Sequence, residues 1–208
     1  RFARDRRLFE YGLRRVDAVV AQNPAQQRMS REHYGREATL IPSCYPRPAP
    51  LGAAERTEVL WVGTLRSFKF PERFIDLARR LPQFRCTMIG GPGGQDAQQL
   101  AYFHHLRDMA AQVPNLAFLG FVHPREVEAH FDRARVFVNT SDVEGFPNTF
   151  LQAWARGIPS VSLFDPGSRH HDVAVGTVVA DLVQAVAAVK RLMRDDALLH
   201  GLGQHARE

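Results

Sequence analysis

Cysteine is nearly absent from this 208-residue chain. Cys44 and Cys86 lie far apart and neither belongs to a Cys-x-x-Cys pair, so neither a zinc site nor a disulfide framework is expected, and a reducing compartment is the default. Lysine is scarce too: 25 of the 27 basic residues are arginine, leaving Lys69 and Lys190. No apolar run approaches ~18 residues, which excludes a membrane-spanning helix. Residue 1 is an arginine in an Arg-rich stretch without an apolar run, so a secretory leader is not expected here and the chain reads as a piece of something longer. An excess of charge of one sign is missing from most of the chain. Residues 57–208 hold 16 Lys/Arg and 16 acids, so the net charge of +5 comes from residues 1–56, with 11 Arg against 6 acids. That excess leaves peripheral contact with a membrane open, but no aromatic-interleaved basic motif accompanies it and nucleic acid is not an expected partner.

What is present is ordinary for a globular protein. Hydrophobic residues make up 45% and charged residues 24%, which sets aside disordered, collagenous and fibrous classes, and the length accommodates one full domain with part of a second. Arg1 to Arg15 reads as a charged helix and Asp17 to Gln22 as a short strand. Pro24 opens a second helix ending near Gly35, and Ala38 to Ile41 is another brief strand. The stretch Pro42 to Ala54 carries four prolines and one glycine without periodicity. We therefore expect a tail of a preceding domain at 1–45, a linker at 46–57 and a second domain at 58–208.

From Glu58 onward strands and helices alternate. Predicted strands at Glu58–Gly63, Phe84–Ile89, Asn115–Leu119, Arg135–Thr140 and Ser160–Leu163 are interleaved with helices opened by Pro71, running from about Gln95 to Gln112, opened by Pro124, and running from about Pro147 to Arg156. A last helix spans Asp181 to Met193. Apolar β-branched runs alternating with amphipathic helices predict an α/β fold, a Rossmann-like parallel sheet with helices on both faces. Ligands of such sheets sit at the carboxyl ends of the strands, so chemistry is expected in the loops after Gly63, Ile89, Leu119 and Thr140.

The densest run of chemistry-bearing residues is Asn139-Thr-Ser-Asp-Val-Glu-Gly-Phe-Pro-Asn-Thr-Phe-Leu-Gln-Ala-Trp154. Pro147 suits the first turn of a helix whose free N–H groups would attract an anion, and Gly145 lets a ligand approach the backbone. Glu144 is an acceptor suited to polyol hydroxyls, and Asn148 and Gln152, four residues apart, share a helix face. Lys69 lies between a strand and the helix begun by Pro71, where it could meet a phosphate. Gly90-Gly-Pro-Gly-Gly94 could cradle one as well, but lacks the Gly-Lys-Ser/Thr ending of a P-loop and reads equally as a flexible turn. Neighbouring residues on a helix point about 100° apart, so His104 and His105 cannot chelate a metal from one face. His170 and His171, followed by Asp172, offer only a weak alternative, and no metal site is expected. Phe68, Phe70, Phe74 and Phe84 read as packing residues or partner surface.

The segment Glu144-Gly-Phe-Pro-Asn-Thr-Phe-Leu-Gln-Ala-Trp-Ala-Arg-Gly-Ile-Pro159 resembles the Glu-x7-Glu signature of retaining glycosyltransferases of the GT-B fold, the large family that includes sucrose synthase-like and mannosyl-transferring enzymes. Val62-Gly-Thr-Leu-Arg-Ser-Phe-Lys69 is similar to its Gly-Arg-Leu-x-x-x-Lys element. The resemblance implies the donor-binding C-terminal half of such an enzyme, with a nucleotide-diphosphate sugar as substrate and no cofactor or metal. It implies catalytic or donor-binding roles for Glu144 at the sugar hydroxyls and Lys69 at the diphosphate. Thr64, Arg66, Gly90, Gly91, Gly145, Phe146, Pro147, Asn148, Thr149 and Gln152 would join the donor site, with Phe121 and Val122 lining the base. The acceptor, a sugar or lipid-linked glycan, and the family's usual catalytic His would belong to an N-terminal domain. A cytoplasmic location, at the inner face of a membrane or away from it, is the expectation that goes with the reducing compartment and the basic N-terminal stretch. Two positions depart from the pattern: Thr64 stands where the family has Arg, leaving Arg66 as a substitute, and Gln152 stands where it has the second Glu, which in the family holds the nucleotide ribose and whose role the Gln carbonyl could still take as an acceptor. These departures keep open a non-catalytic nucleotide-binding module of the same fold, and a GT-B nucleotide-sugar epimerase stands as a further alternative.

Overall fold

A computed structural model of the chain describes residues 2–46, 48, 56–145, 147–167, 169–170 and 173–207. These form two compact units, Arg1–Cys44 and Tyr45–Glu208. Most of the expected linker lies outside the described residues.

The smaller unit contains α1 (Phe2–Leu13), β1 (Val20–Ala21), α2 (Pro24–Tyr34) and β2 (Thr39–Leu40), with the two strands parallel. Pro24 opens α2 as expected, and the Asn23 side chain caps it by accepting from the Gln26 N–H at 2.8 Å. The strand expected over Asp17–Gln22 is only two residues long.

In the larger unit the succession is β3 (Glu58–Val62), α3 (Pro71–Arg79), β4 (Arg85–Ile89), α4 (Ala97–Ala110), β5 (Leu116–Gly120), α5 (Pro124–Arg133), β6 (Ala134–Asn139), α6 (Asn148–Trp154) and β7 (Ser160–Ser162). A small antiparallel pair follows, β8 (Arg169–His170) and β9 (Val173–Ala174), then β10 (Gly176–Val178), α7 (Leu182–Leu192) and α8 (Asp196–Arg207). Six strands form one parallel sheet in the order β10-β7-β6-β3-β4-β5. This is the Rossmann-like α/β arrangement expected from the sequence.

Burial on both faces explains the near-continuous apolar strands. Val59 and Trp61 of β3 face a core shared with Phe74, Leu77, Met88, Leu106, Val138 and Val189, so α3, α4 and α7 cover that side. Leu60, between them, points the opposite way into Phe131, Phe137, Phe150 and Ile158, beneath α5 and α6.

Further details of the larger unit differ from expectation, among them the short strands β8, β9 and β10, which were not expected. The helix expected over 147–156 spans only Asn148–Trp154, because its last turn tightens: Arg156 N–H bonds to the Ala153 carbonyl at 3.0 Å and Gly157 N–H to that of Trp154 at 2.8 Å. Pro147 is the residue before the helix rather than part of its first turn. Helix α8 was not expected. Its glycines hide the helical pattern, yet a Cβ at Gly203 would stand 2.4 Å from the Gly157 carbonyl oxygen, so glycine is what lets α8 settle on the end of α6.

Candidate functional site

The order of the sheet fixes where a ligand can enter. From β3 the chain moves through β4 to β5 on one side, then crosses back to place β6 on the other side of β3. The connections leaving β3 and β6 therefore run in opposite directions, and in such sheets the carboxyl ends of the strands at this reversal are where ligands bind.

Lys69 and Glu144 meet at that reversal. Lys69 ends a short 3₁₀ turn, Ser67–Lys69, and Glu144 lies in the loop between β6 and α6. The ammonium Nζ donates to Glu144 Oε2 at 2.9 Å, with side chains 18% and 10% exposed. Glu144 Oε1 also accepts from Ser141 Oγ at 2.6 Å and from Asn139 Nδ2 at 3.3 Å. Asn139 is itself oriented, since its Oδ1 accepts the Ser141 N–H at 2.9 Å. A carboxylate held by three donors has a fixed orientation and keeps a lone pair for a further hydroxyl. An ammonium has three N–H groups, so the two that Glu144 leaves free could serve phosphate oxygens.

The backbone beneath Lys69 is pinned as well. Thr140 Oγ1 donates to the Lys69 carbonyl at 2.9 Å and accepts from Trp61 Nε1 at 3.0 Å. Phe70 then adopts a left-handed conformation, φ 47°, which costs a non-glycine residue about 1 kcal/mol and turns the chain sharply into Pro71 at the start of α3. Arg73, one turn on, lies over the Phe70 ring with its guanidinium carbon 3.9 Å from the centroid. It donates to the Thr140 carbonyl at 3.2 Å and forms an ion pair with Asp142, tying the β6–α6 loop to α3.

The neighbouring loops are joined through their backbones. Gly63 N–H donates to the Ile89 carbonyl, Leu65 N–H to Gly91 and Gly90 N–H to Gly120, at 3.0, 2.9 and 2.8 Å. A Cβ at Gly90 would lie 2.1 Å from the Gly63 carbonyl oxygen, so no other residue fits this floor without moving it. Gly91 packs against Phe121, which is 73% exposed at the end of β5. Arg66 is exposed and donates to the Gly93 carbonyl at 3.2 Å, which places it on the Gly-rich loop. Thr64, Gly145 and Asn148 are exposed, while Val122, Pro147 and Thr149 are half-buried. Phe146 lies outside the described residues, as do His171 and Asp172. Among the described residues no three His, Cys, Asp or Glu side chains converge in a way that could hold a metal ion.

Gln152 has a partner on another helix. Its Nε2 donates to Glu128 Oε1 of α5 at 3.3 Å. Glu128 also accepts from Tyr45 Oη at 2.5 Å and pairs with Arg156, which is 4% exposed and reaches Asp132 at 2.8 Å. Desolvation pulls the Arg156 pKa down, but its bonds to Asp132, Tyr45 and the acids outweigh it and leave the value raised. The sequence named Lys69, Glu144 and Gln152 but not the groups that hold them: Asn139, Thr140, Ser141 and Arg73 around the first two, and Glu128 and Arg156 around the third. Asn139, Thr140 and Ser141 stand within the motif run, so a strand ending in three small polar residues was a usable signal. Glu128 carried none.

The profile of the family described as "Glycosyl transferases group 1" matches residues 56–195. Mannosylfructose-phosphate synthase of Agrobacterium fabrum is 28% identical over 171 residues, covering 71% of this chain and 38% of the synthase. S. aureus TarM, solved as a mutant in complex with fondaparinux, alpha-GlcNAc-glycerol and UDP, superposes with a TM-score of 0.79 at 14% identity, over 98% of this chain and 42% of TarM. Sucrose-phosphate synthase of Thermosynechococcus elongatus gives 0.76 at 22% identity, over 95% and 54%. The chain thus spans about two fifths to one half of these proteins' lengths. At such identities the structural likeness establishes the fold, which is that of the C-terminal half of GT-B proteins.

Proposed function

Because this chain belongs to the group 1 glycosyl transferases, we propose that it supplies the donor site for glycosyl transfer from a nucleoside-diphosphate sugar, with retention at the anomeric carbon. In this reaction the bond from the anomeric carbon to the diphosphate oxygen breaks and its electron pair leaves with the diphosphate. The acceptor oxygen forms the new bond as its proton departs. Charge develops on the diphosphate and, with opposite sign, on the sugar ring, so the site must offer preorganised groups to both. Lys69 serves the diphosphate, and Glu144 holds the sugar hydroxyls and fixes the ring's orientation. No metal or other cofactor is part of this reading. The greater length of the relatives supports a further domain carrying the acceptor site, to which residues 1–45 would belong.

The observation that carries the proposal is the Lys69–Glu144 pair standing at the switch point of the sheet, a cation and an acceptor side by side where a ligand enters. The UDP in the TarM structure supports a nucleotide as the ligand class. Calorimetric titration with UDP, GDP and ADP tests it. One of the three should bind, and Lys69→Ala should weaken that binding by about 1.5–3 kcal/mol, the worth of a charge-assisted hydrogen bond, while leaving binding of the bare nucleoside nearly unchanged. Equal weakening of both ligands would make Lys69 structural and remove the diphosphate from this site.

A further inference from the structure

We propose that Glu128 is a positioning residue that turns the Gln152 amide so that it presents only an acceptor to the nucleotide ribose. This rests on the donor-site reading above, extended to the ribose that the resemblance assigns to position 152. A carboxylate accepts and cannot donate, so the end of the amide 3.3 Å from Glu128 Oε1 is the NH₂ group. The planar amide then directs its carbonyl oxygen away from Glu128. Among the described residues that oxygen has no hydrogen-bond partner, whereas the nitrogen does.

Glu128 is well placed to impose this choice because it is itself immobilised. It is gripped by Arg156, which is almost fully buried, and by the Tyr45 hydroxyl, and Arg156 Nη1 also donates to the Gln152 main-chain carbonyl at 3.1 Å. Helices α5 and α6 are thus joined at both the side chain and the backbone of residue 152. A free glutamine exposes a donor and an acceptor in either of two flips. A glutamine locked on a carboxylate exposes one acceptor in one orientation, which is the property a glutamate would have at the same place. The loss of a carboxylate at position 152 is therefore offset by the presence of one at position 128. The same geometry predicts that a carboxylate introduced at 152 would face Glu128 and be repelled by it.

The test uses whichever of UDP, GDP or ADP binds most tightly, together with its 2′,3′-dideoxy analogue. The unaltered chain should prefer the hydroxyl-bearing ligand by about five- to tenfold, the worth of one hydrogen bond. Glu128→Ala should bring that ratio close to one, and Gln152→Glu alone should also lower it. The double variant Glu128→Gln with Gln152→Glu reverses donor and acceptor across the same contact and should restore the ratio. If Glu128 only stabilises the fold, Glu128→Ala lowers the melting temperature with the ratio intact and the proposal fails. It fails equally if the unaltered chain shows no preference or if the exchange does not restore one. If none of the three nucleotides binds at all, the donor-site reading falls and this inference falls with it; loss of ribose discrimination alone leaves that reading standing, since Lys69 is tested separately on the diphosphate.

Discussion

Breaking the Lys69–Glu144 pair from either side should show whether the two residues act as a unit before any ligand arrives. At 2.9 Å and an effective dielectric of about 20, the attraction between the two charges is about 6 kcal/mol. Desolvating both ions offsets most of it, so the net worth of the intact pair is small. Removing one partner is another matter. A charge left alone in the interior costs about 3–5 kcal/mol, but Ser141 and Asn139 still hold Glu144 Oε1, so Lys69→Met should destabilise by about 2–3 kcal/mol. Glu144→Gln keeps a carbonyl for those donors but then sets an amide NH₂ against the ammonium, at a cost of about 2 kcal/mol. With both changes neither charge is stranded, and the double variant should lose only about 2 kcal/mol, giving a coupling of about 2–3 kcal/mol. Urea unfolding followed by tryptophan fluorescence suits the measurement, because Trp61 and Trp154 are the only tryptophans and both lie in the larger unit. Midpoints should shift at constant slope. Losses that add to within about 0.5 kcal/mol would refute the reasoning, since they would mean that the two side chains do not sense each other.

Gly90→Ala should destabilise by about 3 kcal/mol or more, because the clash is with a backbone carbonyl that two strands hold in place; a melting temperature within a degree of the parent would contradict it. Arg156→Met strips the paired charge from Glu128 and Asp132 and should cost about 3 kcal/mol, read by the same urea titration, with loss of less than about 1 kcal/mol as the contrary result. Titration with a disulfide reagent at pH 8 should find one reactive thiol in the folded chain. Cys44 is exposed, whereas burial, with some help from Glu58, pushes the Cys86 thiol up to about 12, so Cys86 should react only on unfolding. Two thiols reacting at equal rates would show that this part of the core opens freely.

The sequence made the centre of the fold legible because β3 to β7 are apolar strands separated by proline-opened or amphipathic helices, a pattern with two clear periods. It failed at β8, β9 and β10, where two or three residues are too few to display a period, and at α8, where Gly201 and Gly203 read as breakers although one of them is a packing requirement. Lys69 and Glu144 could each be singled out by type and position. Their contact could not, since 75 residues separate them and only the order of the strands brings them together. Glu128 was invisible for a stronger reason: on the surface of an amphipathic helix a glutamate is unexceptional, and its meaning comes entirely from the side chain opposite.

The floor beneath Lys69 is made by main-chain bonds from Gly63 to Ile89, Leu65 to Gly91 and Gly90 to Gly120, with glycine contributing what it lacks. A surface built in that way is largely indifferent to the side chains around it. Threonine can replace arginine at position 64 without disturbing the bonds on either side, because none of them involves a side chain. Variation at such a rim changes the side chains presented above the floor, while the main-chain bed itself is transmitted unchanged. Under the proposed donor-site reading, the rim positions Thr64, Arg66 and Phe121 are therefore the places to retune nucleotide preference, and the glycines beneath them are the places to leave alone.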